Sequence, residues 1–411
     1  MGCCRSWGTR ASARLVCSRR LAGSCPSYGT DLLYAPFVEI LRAWIGASEG
    51  EPEIAVRTKA RARLSALLGD RVQALFAPLA RLLGVKVEDV DAGASTDLTV
   101  AYLGWVEALC DAGPLVLALD DLQWSDAGTH ELAVHLLELT DRLPLLLVVA
   151  QAAQAGSEGW ALRTRALSDF SHRTVDVPLG PLADDDALEL VSRLLPGLDP
   201  HAAAALVARG EGNPLYLEEL LRLLVDGSGL DRRRTWTVSV GTASLLPPAL
   251  ENILVARYDR LSAEARALAQ VAAVIGRSFQ VRVVERVVGN VDALPELLRL
   301  EAVREVRRYP ELECAFRHGL LQEAALSTLT TARRRELYGL VAAAFEELYA
   351  SSLDEHLERL AHYYAQSDQA PRAVAYLERA AERAERLGAL RNADRLRRRI
   401  AALGSAKRAN R

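Results

Sequence analysis

Asp120 and Asp121 stand side by side at the end of the apolar run Leu115-Val-Leu-Ala-Leu. An unbroken run of that length suits a strand buried on both faces of a parallel sheet. In such sheets ligands bind beyond the carboxyl ends of the strands, so the run would deliver both acids to a reactive rim. One carboxylate can hold the water shell of Mg²⁺ on a nucleotide while its neighbour orients an attacking water. A strand followed by an Asp-rich turn and helix cap accounts for the same residues without chemistry, since Asp favours both. His130 and His135 are offset i, i+5, not the i, i+4 of helical metal pairs, and read as structural or solvated. Asp184, Asp185 and Asp186 precede an apolar helix, where acids favour the helix dipole better than a shared metal.

The surrounding pattern supplies the elements that must hold the pair. Residues 32–46 predict a helix beginning near Pro36, with Phe37, Ile40, Leu41 and Trp44 on one face. Residues 53–83 read as one or two amphipathic helices ending near Gly84, and 97–110 as another. The turn Asp111-Ala-Gly113-Pro114 then leads into the acidic strand. A helix over 127–141 and a second buried strand, Leu145-Leu-Leu-Val-Val-Ala150, follow, with Gln151 just beyond its end. Arg173-Thr-Val-Asp-Val177 predicts one more short strand. From Leu179 the pattern turns helical, and Gly212-Asn213-Pro214 opens a helix carrying Glu218 and Glu219. A polar connector over 226–246 holds one predicted strand at 235–240. Helical spacing resumes over 250–261, 263–275 and 279–288, and 303–308 and 311–316 read as two strands around Tyr309-Pro310. His318 reads as packed or capping, and Arg333-Arg334-Arg335 as a solvated helix face. Over 355–400, Leu360, Tyr364, Ala373, Leu377 and Ala380 keep the small-and-large spacing of packed helix pairs.

The chain has 411 residues, enough for two to four domains. A net charge of −3 lacks the strong basic excess of a dedicated nucleic-acid binder. No apolar run approaches the roughly 18 residues of a membrane span. The six cysteines form no CxxC pair, so neither a zinc site nor a disulfide framework is expected, and Cys110 and Cys314 read as core residues. Lysine is scarce (Lys59, Lys86 and Lys407) beside abundant arginine and alanine, a bias of GC-rich genomes. The first thirty residues carry five arginines and no acid. They admit three readings: a lipidation signal at 1–6, a transit peptide, or a misread start.

Three segments in order carry a family resemblance. Leu-Asp120-Asp121-Leu-Gln-Trp124-Ser-Asp126 resembles the Walker B segment of the signal-transduction ATPases with numerous domains (STAND), relatives of AAA+ proteins. Gly210-Glu-Gly212-Asn213-Pro214 is similar to the Gly-x-Pro segment of that family's helical lid. Leu246-Pro-Pro through Arg257-Tyr-Asp-Arg-Leu261 resembles the start of its winged helix. The resemblance implies ATP or ADP with Mg²⁺, Asp120 on the metal, Asp121 on water, Gln151 as a weak polar sensor, and Gly212 and Pro214 near the base. It also implies a phosphate loop, GxxxxGK[ST], whose backbone N–H groups wrap the phosphates. That pattern occurs nowhere in the 411 residues. Its nearest counterpart is Ala11-Ser12-Ala13-Arg14-Leu15-Val16, with Ser12 in the place of the lysine and Ala13 in that of the hydroxyl. No arginine stands in register after Gln151.

The fold expected is α/β followed by all-α: an incomplete P-loop NTPase-like parallel sheet, a helical lid, a winged helix and a tetratricopeptide-like tail. The domains expected are an atypical N-terminus at 1–20, an AAA-type domain at 21–180, a lid at 181–230, a winged helix at 231–318 and a helical-repeat region at 319–411. The function expected is that of a cytoplasmic regulatory ATPase fragment with weak or absent hydrolysis and no cyclase domain. It would bind proteins through its C-terminal helices and neither nucleic acid nor membrane. The alternative is a nucleotide-independent interaction scaffold or a degenerate gene product.

Overall fold

The structure is a computed structural model that describes residues 19–26, 32–48, 51–87, 97–228, 258, 261–308, 311–317 and 319–409. The expectations for residues 1–18, for His318, for the strand at 235–240 and for most of 246–261 lie outside the described residues.

The acidic run forms the middle strand of a three-stranded parallel sheet. Strand β2 (Leu115–Asp120) lies between β1 (Arg19–Ser24) and β3 (Leu145–Val149), with Ser24 opposite Asp120 and Leu115 opposite Leu145. Leu115, Leu117 and Leu119 are buried, whereas Val116 and Ala118 on the other face are half-exposed. β1 was not foreseen, because Leu21 is its one large apolar residue. Its Gly23 explains the close fit of the following helix: a Cβ there would lie 2.1 Å from the Pro36 carbonyl oxygen.

Helices α1 (Ala35–Ile45), α2 (Glu53–Leu68), α3 (Val72–Leu82), α4 (Leu98–Asp111) and α5 (Ala127–Leu139) match the periodicity. The aromatic residues expected on one face of α1 meet α4: Phe37 packs edge-on to Tyr102 at 5.1 Å and Trp44 to Trp105 at 5.4 Å.

The strand expected at residues 173–177 does not form. After α6 (Glu158–Asp169) the chain wraps its own helix end, with Arg173 N–H donating to Phe170 O and the Thr174 hydroxyl to Ala166 O. A strand needs a neighbour, and among the described residues none pairs with the outer edge of β3. Leu146 and Val148 are exposed on one face of β3, and Val175 is exposed too (84%).

The chain divides into two compact units: Met1–Val175 with Phe345–Arg411, and Asp176–Ala344. In the second unit α7 (Asp184–Leu194), α8 (Pro200–Gly210) and α9 (Pro214–Ser228) bury Ala187, Val191, Leu206, Leu217 and Leu220 together. Beyond them stand α10 (Ala263–Ile275), α11 (Val281–Val288), α12 (Leu294–Arg299) and an antiparallel sheet ordered β4 (Ser278–Gln280), β6 (Glu313–Phe316), β5 (Val303–Arg307). The two strands expected around Tyr309-Pro310 are β5 and β6, antiparallel with a register shift between Glu305 and Arg307. Helices α13 (Gly319–Ser327) and α14 (Thr331–Leu348) follow.

The last three helices, α15 (Leu357–Gln366), α16 (Ala370–Arg386) and α17 (Leu390–Ala409), form the packed pairs the spacing predicted. They fold with the first unit, not as a separate body. Arg42 of α1 donates to Glu355 at 2.7 Å, a largely buried ion pair between the two ends of the chain.

Candidate functional site at the end of the middle strand

β2 carries Asp120 out of the sheet at its carboxyl end, where the side chain is exposed. Its carbonyl accepts the Cys25 N–H at 3.0 Å, so the end of β1 stays tied beside it. The Asp120 carboxylate accepts the Asp121 N–H at 3.0 Å.

Asp121 then turns left-handed, with φ 56° and ψ 37°. That region is costly for side chains with a Cβ, and Asp and Asn tolerate it best after Gly. The turn is anchored to β3: Leu122 N–H donates to Ala150 O at 3.2 Å. Gln123 supports it twice, donating to Asp121 Oδ1 at 3.1 Å and accepting from Ala152 N–H at 3.0 Å. The amide that contacts Asp121 is therefore Gln123. Gln151 is half-buried just past β3, and its side-chain oxygen is packed away from solvent where a Cβ on Gly159 would meet it.

A second acid closes the turn. Asp126 is 1% exposed and caps α5, accepting the backbone N–H groups of Gly128 (3.0 Å) and Thr129 (3.3 Å) and the Thr129 hydroxyl. Tyr34 N–H, just before α1, donates to it at 3.2 Å, and Asn392 of α17 donates its side-chain amide. Burial raises the Asp126 carboxyl above the usual carboxylate range, against the hydrogen bonds from Thr129 and Asn392, which pull it down.

Among the described residues the rim carries several acids. Ser24 gives both its N–H and its hydroxyl to Glu39, at 2.8 and 3.1 Å. Cys25, buried beneath, has its thiol pushed far up by burial and then by Asp126, Asp121, Glu39 and Asp120. It stays a protonated, inert thiol at neutral pH. Oxygen donors of this kind fit a hard cation such as Mg²⁺, which is held by one or two carboxylates and completes its shell from water and phosphate. Among the described residues no group of three or more His, Cys, Asp or Glu side chains could cage a metal unaided. The acids on this rim would repel a bare phosphate, so an anionic ligand requires the cation here.

Gly212 and Pro214 lie in the second unit. Gly212 has φ +70° and accepts the Leu182 N–H at 2.8 Å, and a Cβ on it would lie 2.7 Å from Leu182 O. Pro214 opens α9, where Asn213 Oδ1 caps the N–H groups of Leu215 (3.0 Å) and Tyr216 (3.3 Å). His130 donates its Nδ1–H to the Glu158 carbonyl, 3.0 Å away, the structural role expected of it. Sequence reasoning missed Gln123, Glu39, Tyr34 and Asn392. For the first, its place two residues beyond Asp121 was the available signal, and for Asn392 there was none.

Residues 3–149 match the family model of the AAA ATPase domain. The matched stretch includes the strand and turn that carry Asp120 and Asp121. A curated relative, an uncharacterized protein of Rhizobium meliloti (strain 1021), is 25% identical over 276 residues, 63% of this chain. The chain spans about a quarter of that relative's length, 26%. Among solved structures, a STAND protein with a tetratricopeptide repeat sensor from Pyrococcus horikoshii aligns over 96% of this chain and 63% of its own, at 14% identity and a TM-score of 0.37. The Aeropyrum pernix ORC1 protein in complex with DNA aligns over 71% and 90%, at 18% identity and 0.29. Scores this low do not transfer an architecture. No helix among the described residues is long and apolar enough to cross a membrane.

Proposed function

We propose that this chain is part of a STAND-type regulatory ATPase that binds Mg²⁺-nucleotide at the rim of its parallel sheet. The observation that carries the reading is the Asp120–Asp121 pair at the carboxyl end of the middle strand, inside a segment matching the AAA ATPase domain. Mg²⁺, when bound with ATP, neutralises phosphate charge. Asp120, exposed, would hold the cation's water shell. Asp121, set by its left-handed backbone and by Gln123, orients a water. Gln151 lies beyond the neighbouring strand as a polar sensor, and Gly212 and Pro214 serve a helical lid beside the base. The helices and three-stranded sheet of 263–316 act as a winged helix, and the C-terminal helices receive protein partners. Contact with nucleic acid is not part of the function. In support, Arg307 pairs with Glu313 and Arg308 with Glu305, both at 2.7 Å, which reduces the wing's charge.

Hydrolysis is weak or absent, because the 411 residues hold no GxxxxGK[ST] loop to grip the phosphates. The test is titration with a fluorescent ATP analogue, with and without Mg²⁺. Mg²⁺-dependent binding that Asp120→Asn weakens, with little turnover, supports the reading. Binding indifferent to Mg²⁺ and to Asp120→Asn removes it, and brisk turnover abolished by Asp121→Asn removes the claim of weak hydrolysis.

A further inference from the structure

The buried carboxylate that ends the site turn takes one of its donors from the far end of the chain. Asp126 and Asn392 are each 1% exposed, 266 residues apart in sequence, and joined by a side-chain hydrogen bond. A buried carboxyl must be compensated by hydrogen-bond partners, and losing one is costly. The cap and Thr129 supply donors from α5 itself, Tyr34 supplies one from the start of α1, and Asn392 supplies one from α17. The Asn392 side-chain oxygen, in turn, is buried with no hydrogen-bond partner. A buried amide that leaves its own acceptor unused is a poor choice for packing alone. Its neighbour Arg391 makes only an exposed ion pair to Glu131 of α5 at 3.2 Å, which adds little, whereas the charge of Arg395 acts on Asp126. The turn bearing Asp121 is thus clamped at one end by β3, through Leu122 and Gln123, and at the other by Asp126.

We propose that Asn392 is a positioning residue of the nucleotide site: its amide, brought in by the C-terminal helix α17, holds Asp126 and through it the turn that carries Asp121. The inference rests on the ATPase-type reading above and deepens it.

The test uses the full chain with Asn392→Ala and Asn392→Ser, and with Arg391→Ala as a control on the same helix. Two quantities are read: hydrogen-exchange protection of amides 122–129 without nucleotide, and the Kd of the Mg²⁺-ATP analogue. Asp keeps the shape of Asn but brings a second carboxyl to Asp126, which ionised offers no donor and protonated shares its proton, so packing is judged from Ser, which is close to Ala in size but can donate. The expected result is exchange about tenfold faster in Asn392→Ala and intermediate in Asn392→Ser, whose hydroxyl can donate. The Kd should rise in the same order, with β1 and β2 amides and Arg391→Ala unchanged. Unaltered protection of 122–129 in Asn392→Ala overturns the proposal, as does wild-type affinity in Asn392→Ala or an Asn392→Ser no better protected than Asn392→Ala. Should Asn392→Ala fail to fold, the Ser variant carries the same comparison. If the wild type binds no Mg²⁺-nucleotide, the ATPase-type reading and the link to binding fall, and the exchange data alone decide whether Asn392 holds the turn.

Discussion

Replacing Asp121 by Asn, Gly and Ala separates backbone strain from side-chain bonding at the site. The residue sits at φ 56°, ψ 37°, and its Oδ1 accepts the Gln123 amide at 3.1 Å. A Cβ in the left-handed region costs about 1–2 kcal/mol unless the residue is Asn or Asp. Gly escapes that cost but gives the unfolded chain more freedom, which destabilises by about 0.4–1 kcal/mol relative to Ala. Both Gly and Ala lose the Gln123 bond, about 0.5–1.5 kcal/mol, so that contribution cancels between them. The difference leaves Asp121→Gly more stable than Asp121→Ala by about 0.5–1 kcal/mol, the reverse of the usual order for a surface turn. Asn keeps both an acceptor oxygen and tolerance of the conformation, so Asp121→Asn should fall within about 0.5 kcal/mol of wild type. Urea unfolding followed by circular dichroism reads the series as shifts in midpoint at constant slope. An Ala variant as stable as the Gly variant, or more so, would refute the strained turn, and with it the backbone argument for Asp121 as the water-orienting acid.

Two further perturbations test the frame around the site. Gly23→Ala should destabilise by about 2 kcal/mol or more, because its Cβ meets backbone rather than a movable side chain, with the Pro36 oxygen at 2.1 Å; Gly180→Ala, with open space around it, should stay within about 0.5 kcal/mol in the same urea assay. Glu358 is buried near Arg383, and burial raises its carboxyl above the usual range. The folded state therefore favours its protonated form. The stability it contributes is full below the unfolded pKa and is lost as pH rises through the raised folded value. Thermal melts of Glu358→Gln from about pH 4 to 7 should gain on wild type as pH increases, and a constant difference would show that Glu358 is not held protonated.

Local pattern was enough for the elements nearest the site. The run Leu115 to Leu119 states a buried strand, Pro36 and the Phe37–Ile40–Leu41–Trp44 face state α1, and the acids after Leu119 state where the rim lies, because burial and periodicity are properties of neighbouring residues. The strand expected at 173–177 failed for a different reason. Val175 and Val177 have strand-like alternation, but a strand exists only with a partner to bond to, and partnership is not written in five residues.

Sequence by itself determined the α/β beginning, the helical remainder and the positions of Asp120 and Asp121. Tertiary structure alone decided that Arg19–Ser24 is the strand beside them, that Gln123 supports Asp121, and that the C-terminal helices complete the first unit. The physical reason lies in range: hydrophobic period and turn chemistry act over a few residues, whereas a buried carboxylate takes donors from wherever the fold brings them. At Asp126 one of them comes from Asn392, 266 residues further on.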